Sequence, residues 1–499
     1  MSNHGQRGEW QFLCMWDELS LNLEGTAARF PANDTDAALL MLAEFPGELH
    51  YATSFKTWYS WDGKHHKRDL RALAEQRIHE FALRYRAAVK FARTALEDRL
   101  RRQGTPEAEL ARTLEREWKE RGLAAAAAYS ALLMNNPGVL RLRETLSHLC
   151  AVEPTVFESC DPWLLNCEDG TWDLRTGSRK PHDPRDWLTH CLPAPDFTGQ
   201  CPLFLDTVKH LAGYDLAVWD YLLRVLGYAL LGHNMERKIV FMVGETGSGK
   251  TVVLDVMRAI MGTLATDSSN DLICTTRHGR NARTENSIRG RRLVVVPEST
   301  DFRRMDEAQV KKLTGERQIS IDKHYATDTI PTDVTWLIVQ PTNVMPATAH
   351  PEDSAIIDRY VIIPTGKKVP PEKRVKGLAE KIFESEGRAV LGLLMKAATA
   401  YAQHGWPPAP VAVEMATESY FGQQDQVAAF LREMTALGEN RWVSKPEAWK
   451  IYGKWAADDK MLTRNAFHES MARQPGVTVN DGSARYYGIE WNENALAFG

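Results

Sequence analysis

Residues 244–251 read Gly-Glu-Thr-Gly-Ser-Gly-Lys-Thr and follow directly on the apolar run Ile239-Val240-Phe241-Met242-Val243. Glycines, a lysine and a hydroxyl at this spacing suit one kind of chemistry, the capture of a phosphate chain. Gly244, Gly247 and Gly249 let the backbone turn its N–H groups inward around an anion, with Glu245, Thr246 and Ser248 contributing theirs. A helix opening at Val252-Val253-Leu254 would aim its positive end at the same charge. Lys250 can reach the β and γ phosphates, and the Thr251 hydroxyl can ligate Mg²⁺. The spacing predicts a nucleoside triphosphate site, with ATP and Mg²⁺ as its cofactors.

Hydrolysis needs more than a cradle. The run Leu293-Val294-Val295-Val296 ends at Pro297-Glu298. A carboxylate at the carboxyl end of a buried strand lies where open α/β sheets bind ligands. Glu298 can polarise the attacking water or hold Mg²⁺ through water, and both roles stay open; Asp301 is a weaker second acid. The next apolar run, Val334-Thr335-Trp336-Leu337-Ile338-Val339-Gln340, ends in Pro341-Thr342-Asn343. The Asn343 amide can donate to the γ-phosphate or orient the lytic water. Arg359 stands at a helix–strand junction, where a guanidinium could reach into a neighbouring subunit's site. The candidate catalytic residues are therefore Lys250, Glu298, Asn343 and Arg359.

To place these groups, strands must alternate with helices. The pattern predicts strands at 239–243, 292–297, 334–340 and 360–364, and helices at 250–261, 305–314 and 353–358, which is an α/β parallel sheet. Residues 1–45 read as a lead-in. The alternating aromatics Tyr51, Trp58, Tyr59 and Trp61 predict a hairpin over 49–63 closing on Asp62-Gly63. Residues 69–150 are helical, broken at 104–106 and 136–138. Strands return over 162–192 around the turn Glu168-Asp169-Gly170, and a helical segment over 203–232 leads to the glycine loop. After Lys367-Lys368-Val369-Pro370-Pro371 comes a helix to about residue 404, then a Pro-rich boundary at 405–410. The tail predicts helices at 424–437, 445–458 and 463–473 followed by strands at 476–480 and 484–491.

The chain has 499 residues and a net charge of −4, enough length for several cores. The arginine-rich stretch 84–121 reads as a solvated helix face carrying ion pairs, whereas 272–312 concentrates cations compatible with an anion-binding surface. Seven cysteines without a C-x-x-C pair predict free thiols in a reducing cytoplasm, and no run is apolar enough for a membrane helix.

Four ordered pieces, Gly244–Thr251, Arg291–Glu298, Lys311–Ala326 and Gln340–Asn343, resemble the signature of superfamily 3 helicases of the phage, plasmid and poxvirus primase–helicase type. Asp161-Pro162-Trp163-Leu164-Leu165-Asn166 and Asp173-Leu174-Arg175-Thr176-Gly177 are similar to the end of the domain that precedes the helicase in that family, so the likeness spans residues 45–499. With residues 1–45 ahead of the likeness, no primase domain is expected within this sequence. The phosphate loop carries Ser248-Gly249-Lys250-Thr251 where relatives commonly have Asn-Gly-Lys-Ser. Gly315-Glu316-Arg317 stands where they have Gly-Gly-Asp.

The resemblance implies an AAA+-like P-loop ATPase core at 201–404. A mixed α+β domain at 46–200 would precede it, and a winged-helix-like DNA-binding domain at 411–499 would follow. It implies a ring, most simply a hexamer, with Arg359 acting on the neighbour's site and Lys311 or Lys312 as a second trans-acting cation. A β-hairpin would place Lys323 and His324 in the central channel to grip DNA phosphates, which specifies no base. The expected function is an ATP-driven replicative DNA helicase, moving 3′→5′ on single-stranded and forked DNA. The setting would be a phage, prophage or plasmid in a bacterial cytoplasm, with a separate primase or polymerase as partner. An origin-binding initiator or loader, using ATP only to switch assembly, is the alternative.

Overall fold

The computed structural model describes residues 30–158, 160–276, 282–298, 304–322, 329–456, 462–474, 476–480 and 482–496. The chain divides into two compact units. One runs to Cys160 and takes in His182–Cys191; the other comprises Asp161–Pro181 and Leu192 onward.

In the first unit, helix α1 (Asp34–Glu44) begins at Asn33, whose side chain accepts from the Asp36 N–H. This segment reads as lead-in from sequence, yet Ala37, Ala38 and Met41 are fully buried. Strands β1 (Leu49–Ala52) and β2 (Thr57–Trp61) pair antiparallel, as the alternation predicts. Their connection lies at 53–56, with Lys56 left-handed at φ 49°. The Asp62-Gly63 turn instead joins β2 to β3 (His66–Arg68). Helices α2 (Leu73–Arg102), α3 (Glu107–Glu120), α4 (Leu123–Leu133) and α5 (Asn136–Leu149) follow, and β4 (Ala151–Val152) pairs parallel to β1. The break expected at 136–138 falls at a helix boundary: α4 ends at Leu133 and α5 opens at Asn136, with Pro137 in its first turn, where a residue needs no N–H partner. Arg84, Arg93 and Arg101 of α2 form ion pairs with Glu80, Glu115 and Glu97, and Arg121, which follows α3, pairs with Glu117.

The second unit opens with the antiparallel strands β5 (Leu164–Cys167), β6 (Gly170–Asp173) and β7 (Ser178–Lys180), then α6 (Pro202–Leu211) and α7 (Leu216–Tyr228). A parallel sheet is then built in chain order. Its parts are β8 (Ile239–Val243), α8 (Lys250–Met261), β9 (Ala265–Asp267), α9 (Ala282–Ser287), β10 (Leu293–Val295) and α10 (Glu307–Gly315). The hairpin β11 (Gln318–Asp322) and β12 (Thr329–Asp333) comes next, then β13 (Leu337–Thr342), α11 (Ser354–Ile357) and β14 (Tyr360–Pro364). Among the described residues the strand order is β14-β8-β13-β10-β9, with every pairing parallel.

Both faces of this sheet are covered, which is why its strands are continuous apolar runs. Val240, Met242, Val295 and Val339 face α8, where Val253, Leu254, Val256, Met257 and Ile260 are buried. Phe241, Val294, Ile338 and Ile362 face the other way, onto Leu313, Trp336 and Tyr420. Each such side chain contributes about 1.5–3 kcal/mol when buried. Strand β13 starts three residues later than its apolar run suggests. Val334 and Trp336 serve the α10 side instead, where the Trp336 indole donates to the Leu313 carbonyl at 3.1 Å.

The long helix α12 (Leu378–His404) packs so closely on the linker before α6 that a methyl group on Gly392 would lie 2.4 Å from the Asp196 carbonyl oxygen. After α13 (Val411–Gln424) the tail comprises α14 (Gln426–Met434), β15 (Thr435–Ser444), α15 (Lys445–Trp455), α16 (Arg464–Arg473), β16 (Arg485–Trp491) and α17 (Glu493–Leu496). The expected first tail helix thus stops at Met434, and a strand stands between it and the second helix. The segment 435–444 finds its hydrogen bonds by antiparallel pairing with β16, a long-range partner that overrides local helix preference. The expected strand at 476–480 reduces to the single bridge Thr478–Tyr487. Among the described residues no helix is long and apolar enough to cross a membrane.

Candidate functional site

Register places three loops at one edge of the sheet. β8 pairs with β13 so that Val243 lies opposite Thr342, and β13 pairs with β10 so that Val339 lies opposite Val295. The segments following these strands, 244–251, 343–347 and 297–298, therefore emerge side by side at the carboxyl ends. The glycine loop owes its shape to local sequence. Gly247 and Gly249 have φ of 85° and 104°, a region other residues enter with strain. Gly244 lies so close to Thr365 that a side chain there would collide with its hydroxyl.

Lys250 is buried, and its ammonium donates to the carbonyls of Gly244 at 2.5 Å and Glu245 at 3.0 Å and to Asn343 Oδ1 at 3.0 Å. Burial presses its pKa below the ordinary lysine range, and the nearby Glu298 carboxylate partly offsets this. Asn343 links the parts. Its backbone N–H donates to Glu298 Oε1 at 3.0 Å, and its side-chain amide donates to Thr246 Oγ1 at 2.5 Å. Glu298 is exposed and directed to the loop. Buried Gln340 steadies its base by donating to the Pro297 carbonyl at 3.3 Å. Thr251 is exposed in the first turn of α8.

Four residues singled out by sequence, Thr246, Lys250, Glu298 and Asn343, are thus in one hydrogen-bonded network. Arg359 is not among them. It precedes β14, and its carbonyl accepts from the Ile239 N–H at the opposite end of β8. The five residues of β8 separate it from the glycine loop, roughly 16 Å at about 3.3 Å per residue. Its guanidinium donates to Thr314 Oγ1 at 3.1 Å and to the Ala355 carbonyl. Lys311 pairs with Asp353 at 2.5 Å and Lys312 with Glu285 at 3.2 Å. Burial raises the Asp353 carboxyl, but the Lys311 ammonium and helix N–H groups outweigh it and hold it below the usual range. The hairpin β11–β12 buries Ile319 and Ile321 as its alternation requires. Lys323 and His324 lie outside the described residues, as does Asp301.

Sequence reasoning passed over the segment after β14. The Lys368 N–H donates to Glu245 Oε2 at 3.3 Å, the Val369 N–H to the Gly247 carbonyl at 2.9 Å, and Ser248 and Thr365 share a hydroxyl contact at 3.3 Å. The available signal was the basic pair Lys367-Lys368 beside two prolines, which resembles a linker when read locally.

Two solved structures similar to this chain are the apo structure of the NrS-1 C terminal region (305–718) and the A form apo structure of the same region. The first aligns with a TM-score of 0.36 at 11% identity, covering 57% of this chain and 65% of that one. The second aligns with a TM-score of 0.36 at 12% identity and the same coverage. This chain thus spans less than two thirds of the length of those structures. No curated protein matches it. Residues 38–211, which comprise most of the first unit, the β5–β7 strands and α6, match the family described as D5 N terminal like.

Proposed function

We propose that this chain is an ATP-driven, ring-forming DNA helicase of superfamily 3, acting in phage-type replication with 3′→5′ movement on single-stranded and forked DNA. The observation that carries the reading is the network of Lys250, Asn343, Glu298 and Thr246 at the carboxyl edge of a parallel sheet. Such a loop fits a Mg²⁺-bound triphosphate. Its glycines hold a left-handed backbone, Lys250 supplies a cation, and Thr251 is exposed where a metal ligand is needed. Mg²⁺ would neutralise charge building on the transferred phosphoryl group. Asn343 holds Lys250 in place and offers an amide toward the same space, while Glu298 accepts a proton from, or orients, the attacking water.

The position of Arg359 supports an oligomer. A cation roughly 16 Å from its own loop serves hydrolysis only on a neighbour's nucleotide, as arginine fingers do. A ring of six is the simplest closed form that the family likeness implies. In the sequence Lys323 and His324 fall between the paired strands β11 and β12, where the family likeness would put the channel-facing tip. The match of residues 38–211 to the D5 N terminal like family supports a phage-type primase–helicase setting. In the tail, the order helix, strand, two helices, strand is that of a winged helix, which would offer α16, with Arg464, to duplex DNA, whereas Arg473 pairs with Glu352.

The test is strand displacement. Lys323→Ala is expected to keep ATP hydrolysis and lose unwinding of a forked duplex. Unwinding by that variant at the parental rate would refute the channel assignment. ATP hydrolysis with no unwinding by the parental chain would favour the initiator or loader reading.

A further inference from the structure

We propose that Lys368 and Arg374, which stand beside Gly247 at the apex of the glycine loop, form a second, same-chain grip on the nucleotide's phosphates. This rests on the reading of the loop as a triphosphate site and adds two binding residues to it.

The segment 365–374 is not a free linker. Thr365 is tied to the end of β8, its N–H donating to the Val243 carbonyl at 2.7 Å, and the Gly366 N–H donates to the Leu211 carbonyl at 2.7 Å. The Lys368 and Val369 N–H groups then bond Glu245 and Gly247 of the loop itself. Pro370 and Pro371 fix the backbone direction, and a single 3₁₀ turn at Pro371–Lys373 brings Arg374 back. There the Arg374 Nε donates to the Val369 carbonyl at 3.0 Å, and its Nη2 stands beside Gly247. A methyl group placed on Gly247 would lie 3.4 Å from Lys368 Cγ, 3.6 Å from Arg374 Nη2 and 3.8 Å from Lys368 Cε. Two exposed cations thus stand within one side chain's reach of the loop apex, on a strap with little freedom. The Glu245 carboxylate is engaged by the Lys368 N–H at 3.3 Å.

The strap touches the loop apex, not the acid and amide at the strand ends. It therefore holds phosphates common to ADP and ATP and acts on binding, not on the chemical step. Removing either cation should weaken ADP binding about tenfold, equivalent to about 1.4 kcal/mol, and the double variant more. Uniform binding raises KM for ATP by the same factor and leaves kcat at saturation within about threefold.

Fluorescent ADP titrations of the parental chain, Lys368→Ala, Arg374→Ala and the double variant test this. Inorganic pyrophosphate serves as a competitor, and Lys450→Ala in the tail is a charge-matched control. The expected result is weakened affinity for both ADP and pyrophosphate, a shallower salt dependence, and recovery in Lys368→Arg. The proposal is overturned if the double variant binds ADP like the parent. It is also overturned if ADP binding weakens while pyrophosphate competition is unchanged, because the strap would then contact the base or ribose. The two readings fail distinguishably. A parental chain that binds no ADP, with Lys250→Ala no different, removes the phosphate site itself. A parental chain that binds and loses binding in Lys250→Ala, with a silent double variant, removes only the strap.

Discussion

Replacing Asn343 separates the network's architecture from its chemistry. Asn343→Ala deletes two side-chain bonds, the 3.0 Å acceptor for Lys250 and the donor to Thr246, but keeps the backbone N–H that fixes Glu298. Lys250 retains two carbonyl acceptors, so the structural loss is about 1.5–3 kcal/mol, the range for a hydrogen bond to a charged group. If the amide also donates to the developing phosphoryl charge, its removal costs about 2.7–4 kcal/mol of transition-state stabilisation, or 10²–10³ in kcat. Asn343→Asp provides the contrast. It keeps the shape and strengthens the pairing with Lys250, yet it replaces the amide donor by an anion facing Glu298 and the phosphates. Steady-state phosphate release with Mg²⁺ and ATP, alongside ADP affinity, is the assay. Both variants should lose kcat by at least about a hundredfold with ADP affinity changed less than tenfold. Near-parental turnover in Asn343→Asp would refute the reasoning, because a group that donates to the phosphates cannot be replaced by an anion.

If Arg359 acts across subunits, two inactive variants, Lys250→Ala and Arg359→Ala, should complement when mixed. Random pairing in equal amounts restores about a quarter of the interfaces, read as recovered ATPase activity; no recovery would place the arginine's role within its own chain. In an open helix Gly392→Ala would stabilise by about 1 kcal/mol, but the contact with the Asp196 carbonyl adds an overpacking cost of about 1–3 kcal/mol, so the urea midpoint should fall. His233 is buried among Trp163, Tyr228 and Tyr401, and burial first, then the charge of Arg292, pushes its pKa down to about 4. The folded state therefore resists protonation that the unfolded chain accepts below about pH 6.5, and stability falls between pH 6.5 and 4 by up to about 3 kcal/mol. His233→Phe should flatten that part of the melting-temperature profile, and an unchanged slope would show that other groups dominate it.

Much of the sheet was legible because buried parallel strands are short, continuous and apolar. Strands 239–243 and 360–364 fall where the apolar runs end, and α8 spans 250–261 as its periodicity predicts. The glycine loop was legible because its left-handed positions, Gly247 and Gly249, call for glycine. The association of Lys250, Glu298 and Asn343 was readable from strand-end positions, although the bond between Asn343 and Thr246 was not. What escaped was non-local. The 435–444 segment looked featureless until its partner at 485–491 supplied the hydrogen bonds. The strap at 365–374 was hidden because its ties run to residues more distant in sequence than any local pattern reaches. Helix 34–44 was missed since only three small or flexible residues mark its buried face.

Strand β8 sits between β13 and β14, both of which follow it in the chain. During synthesis the glycine loop and its apolar strand leave the ribosome well before either neighbour exists. At about 5–20 residues per second, several seconds pass with β8 exposed on both edges. Until Pro364 is available the sheet cannot close, and the nascent segment is open to intermolecular pairing. Early truncations within this region should therefore yield aggregates, and holding chaperones should raise the recovered yield of the intact chain.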